Sequence, residues 1–257
     1  MNIQKMHELF RTLGQQKGMQ QVRVILPEEI DAYINDAIAE KTLTEIQKGV
    51  TYSVQVNAKT LSNAIGNINL FKSLYRNARF SIDVDKSDGL VKYHNSDIGY
   101  YEITLPTDIS LSKSNNVLTD DEYYISPMLY LGFSVEYDDK SRGNAKSCRL
   151  IGSEDLQNTL NDYCNAADKD YPIATLSGQP VINDLTETTS NTYDNFVMIN
   201  TGKTKSVVKY LNVIYLKKPN VVDYKNGVDC DLSDYSHYEI VEIAVQKFIR
   251  SIGVKQS

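Results

Sequence analysis

Three histidines, three cysteines, a Gly-Lys-Thr tripeptide and several paired carboxylates are the residues with which this chain could do chemistry. Gly202-Lys203-Thr204 invites a phosphate-cradling loop, in which backbone N–H groups curl around phosphate oxygens. That loop needs a glycine five residues before Gly202, but position 197 is Val197, and a strand pattern follows in place of a helix. The expected reading is a polar hairpin turn between Phe196–Ile199 and Val207–Leu216. Asp83, Asp85 and Ser87 carry the spacing of the first three ligands of a calcium loop. The sixth position, however, is Asp88, with the glycine displaced to Gly89, and the twelfth is His94 where a bidentate Glu is needed. Solvated turn carboxylates are expected there.

His7, His94 and His237 share no metal-ligand spacing with one another or with a cysteine, and no Gly-x-Ser-x-Gly elbow is present. The pairs Asp120/Asp121, Asp138/Asp139 and Glu154/Asp155 fall in turns or at a helix start, where solvation or dipole pairing explains them. Cys148, Cys164 and Cys230 are odd in number and widely separated, and read as free thiols in a reducing compartment. Cys164 has no adjacent base to lower its pKa. No catalytic, cofactor-binding or metal-binding residue is expected, and no cofactor.

The elements that must position these groups follow from hydrophobic period. Ile3, Met6, Phe10 and Leu13 mark a short helix that Gly14 and Gly18 are expected to close, and Val22 to Leu26 is a brief β-favouring run. Pro27, Glu28 and Glu29 open a second helix with Ile30, Ile34, Ala37 and Ile38 as its stripe, to about Lys48. Leu61 to Ile68 is a weaker helical pattern. From Arg79 the period shifts to two. Strands are expected at Phe80–Val84, Leu90–Tyr93, Tyr101–Leu105 and Tyr123–Tyr137 (broken by Pro127 and Gly132). Others follow at Cys148–Ile151, Ile173–Leu176, Val181–Leu185, Phe196–Ile199 and Val207–Lys217. Ser153 starts a short helix with Leu156 and Leu160 as its apolar side. Ser236-x-x-Glu239 reads as a capping box for a last helix that Gly253 ends. The fold class is α+β, with helices at the N- and C-termini forming a helical layer around a β-rich middle. Its regions are 1–76, 77–220 and 221–257, the last packing with the N-terminal helices, all within one structural unit.

Composition narrows the function classes. Of 257 residues, 27 are basic and 33 acidic, for a net charge of −6 and no basic block, which argues against tight phosphate binding. No run approaches 18 apolar residues, so no membrane span is expected, and Met1 to Gln21 lacks an apolar signal-peptide core. There are 18 Tyr against 6 Phe and no Trp. Tyrosine suits both strands and interfaces, and the two readings stay open. The stripe of the last helix likewise has two: packing into the protein's own core, or a partner-facing surface made of His237, Ile240, Val241, Ala244, Val245, Phe248, Ile249 and Ile252.

Several segments, in order along the chain, resemble the head-to-tail connector (adaptor or ring) proteins of tailed bacteriophages, particularly those of crAss-like phages. The strongest are Val213-Ile214-Tyr215-Leu216-Lys217-Lys218-Pro219, Cys230-Asp231-Leu232 and Tyr235-Ser236-His237-Tyr238-Glu239-Ile240-Val241-Glu242-Ile243-Ala244-Val245. Leu150–Leu156 with Tyr163 and Tyr171-Pro172, the stretch Glu29–Ala37, and Leu105-Pro106-Thr107-Asp108 are similar to further family segments. Ser233 stands where the family usually has Pro, and the phenylalanine and proline usual after the Asp155–Leu160 helix are replaced around Tyr163 and Cys164.

The resemblance implies a structural virion protein without catalysis. It would form a homo-oligomeric ring, commonly of twelve copies, between the portal protein and other connector or tail rings. Double-stranded DNA would pass through without tight binding, and assembly would take place in the host cytoplasm. Net negative charge suits such a conduit, because a lumen that gripped phosphates would stall a moving duplex. The competing class is a β-rich ligand- or glycan-binding module using surface tyrosines.

Overall fold

Stripes of period 3.6 near both ends and alternation between them require helices that pack on one another and strands that pair in sheets. The computed structural model describes residues 1–17, 25–55, 69–83, 91–105, 109–110, 124–125, 127–138, 145–177, 195–203 and 206–252. In chain order the elements are α1 (Ile3–Gln16), α2 (Pro27–Gln55), β1 (Tyr75–Ser81), β2 (Val91–Asn95), β3 (Tyr100–Leu105), β4 (Ile109–Ser110), β5 (Tyr124–Ile125) and β6 (Pro127–Tyr137). There follow β7 (Ala145–Ser147), β8 (Arg149–Leu150), α3 (Leu156–Asn161), β9 (Ile173–Ser177), β10 (Asn195–Asn200), β11 (Val208–Lys217) and α4 (His237–Ser251). The class is α+β, with terminal helices and a β-rich middle. Contacts gather the chain into two compact units rather than one: Met1–Tyr75 with Lys218–Ser257, and Arg76–Lys217.

In the helical unit, α4 packs against both α1 and α2, which touch each other little. Its buried face, Ile240, Val241, Ala244, Val245, Phe248 and Ile249, meets Ile3, Met6, Phe10 and Leu13 of α1 and Ile30, Ile34, Ala37 and Ile38 of α2 in one core. Phe248 is the hinge pin of that packing, edge-on to Phe10 (5.9 Å between centroids) and to Tyr33 (5.4 Å). Ion pairs run along the seams: Lys41–Glu239 at 2.6 Å, Lys247–Glu40 at 2.7 Å and Lys17–Glu242 at 3.3 Å.

Several helix ends differ from expectation. α1 runs through Gly14, which is buried inside the helix and does not close it. α2 continues past Lys48 to Gln55. The Ser236/Glu239 capping box does not form. A 3-10 turn, Asp234–Ser236, leads into α4, the Ser236 hydroxyl donates to the Ser233 carbonyl at 2.7 Å, and Glu239 is engaged by Lys41. α3 starts at Leu156 and not at Ser153, and none of its residues is buried, so Leu156 and Leu160 form no core face.

The middle unit is built on two larger sheets. One has the order β1-β11-β6-β7, the other β2-β3-β10-β9-β8, with a separate β4-β5 pair. β2–β3, β3–β10, β10–β9, β11–β6, β6–β7 and β4–β5 pair antiparallel, and β8 lies parallel to β9. Alternate residues of both larger sheets form a shared core: Phe133, Val135 and Tyr137 of β6 and Leu211, Val213 and Tyr215 of β11 with Tyr101, Ile103 and Leu105 of β3 and Val197 and Ile199 of β10. Pro127 and Gly132 do not break β6. Pro127 is its first residue, where the missing N–H is tolerated, and a bulge leaves Leu131 unpaired between Tyr130 and Gly132.

The expected helix at 61–68, the turn Asp85–Gly89, Val22–Val24, Pro106–Asp108, Asp120/Asp121, Asp139, Val181–Leu185, Gly18, Thr204 and Gly253 lie outside the described residues.

The packing predicts that Phe248→Ala costs about 3–5 kcal/mol of stability, whereas Ile252→Ala, at a position 38% exposed, stays within about 0.5 kcal/mol. Urea denaturation followed by far-UV circular dichroism measures both.

Candidate functional site

Seven of the eight residues expected as a partner-facing stripe are buried within the helical unit, and only Ile252 is exposed. The stripe is core, because α1 and α2 occupy the face it would have offered. Beside the buried stripe, Tyr235 of the 3-10 turn before α4 and Tyr238 of its first turn are 65% and 52% exposed. With Val221 and Tyr224 of the preceding loop, they are the large apolar side chains that this end of the unit shows to solvent.

That loop is tied down by polar residues on the shoulder of the α2 stripe. Asp31 accepts the Tyr224 N–H at 3.0 Å with one carboxylate oxygen and meets His7 Nε2 at 2.7 Å with the other. One turn on, Asn35 makes a two-way pair with Val222, its Oδ1 accepting the Val222 N–H at 2.8 Å and its amide donating to the Val222 carbonyl at 3.0 Å. Asp229 accepts the Ile3 N–H at 2.7 Å, so the same loop caps α1. The His7 ring lies against Tyr224, 4.6 Å between centroids. A histidine on a carboxylate is the pairing of a general base, but His7 is fully enclosed, which makes the pair a clasp between α1, α2 and the loop. Sequence reasoning treated His7 singly and missed its partner. The available signal was Asp31 and Asn35, one helical turn apart beside an apolar stripe.

His237 is buried at the start of α4. Its Nε2–H donates to the Leu232 carbonyl at 2.9 Å, which leaves Nδ1 bare, 3.4 Å from Asp234. Burial pulls its pKa below 6.5, against the opposing pull of the Leu232 carbonyl. Lys41 feels burial as well, but Glu239 and Glu45 outweigh it and raise its pKa. Burial pushes the thiols of Cys148 and Cys230 up to about 12 and about 11, which makes them poor nucleophiles, and Cys164 is exposed.

In the β unit the hairpin expected around Gly202 does not form, because β10 and β11 belong to different sheets. Gly202 turns the chain out of β10 with φ +67°, and a Cβ there would stand 2.4 Å from the Ala167 carbonyl oxygen. Its glycine is demanded by packing against backbone, and Lys203 follows in the open. Across the turn, Thr201 donates through N–H and hydroxyl to the Gly99 carbonyl, at 2.8 and 3.0 Å. His94 sits on the Tyr101 ring at 4.4 Å, and burial lowers its pKa. Beside α3 lies an open basin of about 510 Å³ between Arg149–Gly152 and the helix. Among the described residues, no group of three His, Cys, Asp or Glu side chains could hold a metal ion. No helix among them is long and apolar enough to cross a membrane.

Neither protein-family models nor curated proteins match this chain.

Removing the shared acceptor by Asp31→Ala strands a buried imidazole N–H and a backbone N–H, at a cost of roughly 2–4 kcal/mol. Hydrogen exchange of the Tyr224 amide reports the released loop directly. The lowered pKa of His237 implies stability that is complete above its unfolded value near 6.5 and is lost as pH falls below it. His94 adds a slope of the same sign, so His237→Gln is expected to flatten only part of the dependence of the denaturation midpoint on pH.

Proposed function

We propose that the chain is a structural subunit of a head-to-tail connector ring of a tailed bacteriophage, seated between portal and tail and forming part of the DNA conduit. It acts without catalysis, in a homo-oligomer for which the family resemblance implies twelve copies. The observation that carries this reading is that α2, which holds Glu29–Ala37, packs on α4, which holds most of Tyr235–Val245, so two segments on which the resemblance rests share one core. Asp31 and Asn35, from Glu29–Ala37, hold the loop that runs from Pro219 to the Cys230–Leu232 segment and into α4. Residues almost 190 positions apart are thereby joined within the helical unit.

Ring closure needs two different patches per subunit, since head-to-tail contacts are not self-complementary. Exposed tyrosines suit such surfaces, because they join apolar area to a hydrogen-bonding tip. Tyr224, Tyr235 and Tyr238 supply one set in the helical unit, and Tyr163, Tyr171 and Tyr93 another in the β unit. The net charge of −6 fits a lumen that lets DNA slide.

Mass photometry and negative-stain microscopy of the protein mixed with its cognate portal test this reading. A ring or a portal-bound ring is expected, and Tyr235→Ser with Tyr238→Ser is expected to weaken incorporation at least tenfold without loss of folding. A monomer that ignores the portal overturns the proposal, and a ring whose lumen is lined mainly by Lys and Arg overturns its electrostatic part.

A further inference from the structure

α3 is a loosely packed helix, with Leu156, Thr159 and Leu160 half-buried and the other positions exposed. Its polar positions Asp155, Asn158, Thr159 and Asp162 recur at helical spacing on one face, and that face, with Arg149 and Asn165, lines the basin in the β unit. The floor is firm. The Arg149 N–H donates to the Pro172 carbonyl at 2.8 Å and the Ile151 N–H to that of Ala174 at 3.1 Å, which continues the β8–β9 pairing. The Arg149 guanidinium is anchored on the Asn165 backbone and side chain. Asp162 accepts from the Cys164 N–H at 3.0 Å and from the Asn165 amide, and these bonds hold its pKa below the usual range. Asp155 and Asn158 project from exposed positions, and the Asp155 side chain makes no cap hydrogen bond.

Two exposed tyrosines adjoin, in sequence, residues that line or floor the basin. Tyr163 follows Asp162 and is 98% exposed, and Tyr171 precedes the Pro172 that receives Arg149 and is 73% exposed.

We propose that this basin binds a neutral saccharide, with Asp155, Asn158 and Asp162 taking hydroxyl groups and Tyr163 and Tyr171 covering the C–H face of a sugar ring. Two carboxylates against one guanidinium disfavour phosphates and other anions. The lining mixes donors and acceptors as a polyol requires, whereas a hydrocarbon ligand would strand them. The proposal stands independently of the ring reading, since a soluble monomer and an assembled ring carry the same basin.

Saturation-transfer NMR on the full chain with maltose, lactose and N,N′-diacetylchitobiose tests it. Transfer to at least one sugar is expected, with a dissociation constant on the order of millimolar. Tyr163→Ser/Tyr171→Ser and, separately, Asp155→Asn/Asn158→Ala are each expected to weaken it about tenfold, while circular dichroism and the denaturation midpoint stay unchanged. All four positions are exposed, so folding is not at stake. No transfer to any of the three sugars, or transfer that survives both double substitutions, overturns the proposal.

Discussion

A carboxylate largely withdrawn from water must be satisfied by the protein, and Asp31 is satisfied by two segments that no local rule would bring together. One oxygen takes the ring of His7 from α1, the other the backbone of Tyr224 from the loop before α4. Asn35 repeats the arrangement a turn later, with donor and acceptor both matched to one backbone unit. These bonds do not supply the bulk of the stability, which comes from apolar burial around Phe248. They select one arrangement among many that would bury the same stripes, because a shifted loop would leave a buried charge and two amides unpaired.

The β unit solves the same problem differently. Its specificity lies in alternation: a one-residue slip along β6 or β11 would turn Phe133, Val135, Leu211 and Val213 out of the shared core. The bulge at Leu131 is one of three register shifts along the two long strands. Close backbone contacts set the rest, as at Gly99 and Gly202, where any side chain would collide with a carbonyl.

Much of this was legible from residue types and spacing. The α+β class followed from the change of period near Arg79, and the last helix from seven apolar residues on one side. The strands at Tyr101–Leu105, Phe196–Ile199 and Val207–Lys217 followed from alternation. Helix ends were not legible, because they depend on partners outside the helix. Gly14 passes as a helical residue once it is buried, and Glu239 leaves its capping role for Lys41 on another helix. The stripe of α4 is compatible with both core and interface, and the positions of α1 and α2 decide between them. The clasp at Asp31 and the polar face of α3 were hidden for the same reason. A polar side chain advertises its chemistry in sequence but not its neighbour.

The β unit enters the helical unit as an insertion, with the chain leaving after Tyr75 and returning at Lys218. During synthesis this imposes an order. α1 and α2 emerge first, with Phe10, Ile30 and Ile34 uncovered, and their main packing partner α4 follows only after the whole β unit. At ribosomal speeds that interval is roughly ten to thirty seconds, far longer than helix formation needs. The nascent helices must spend it exposed and within reach of chaperones or of other nascent chains, while the sheets fold ahead of them. Of the two units, the helical one, whose first helices are made earlier, is the one that closes later.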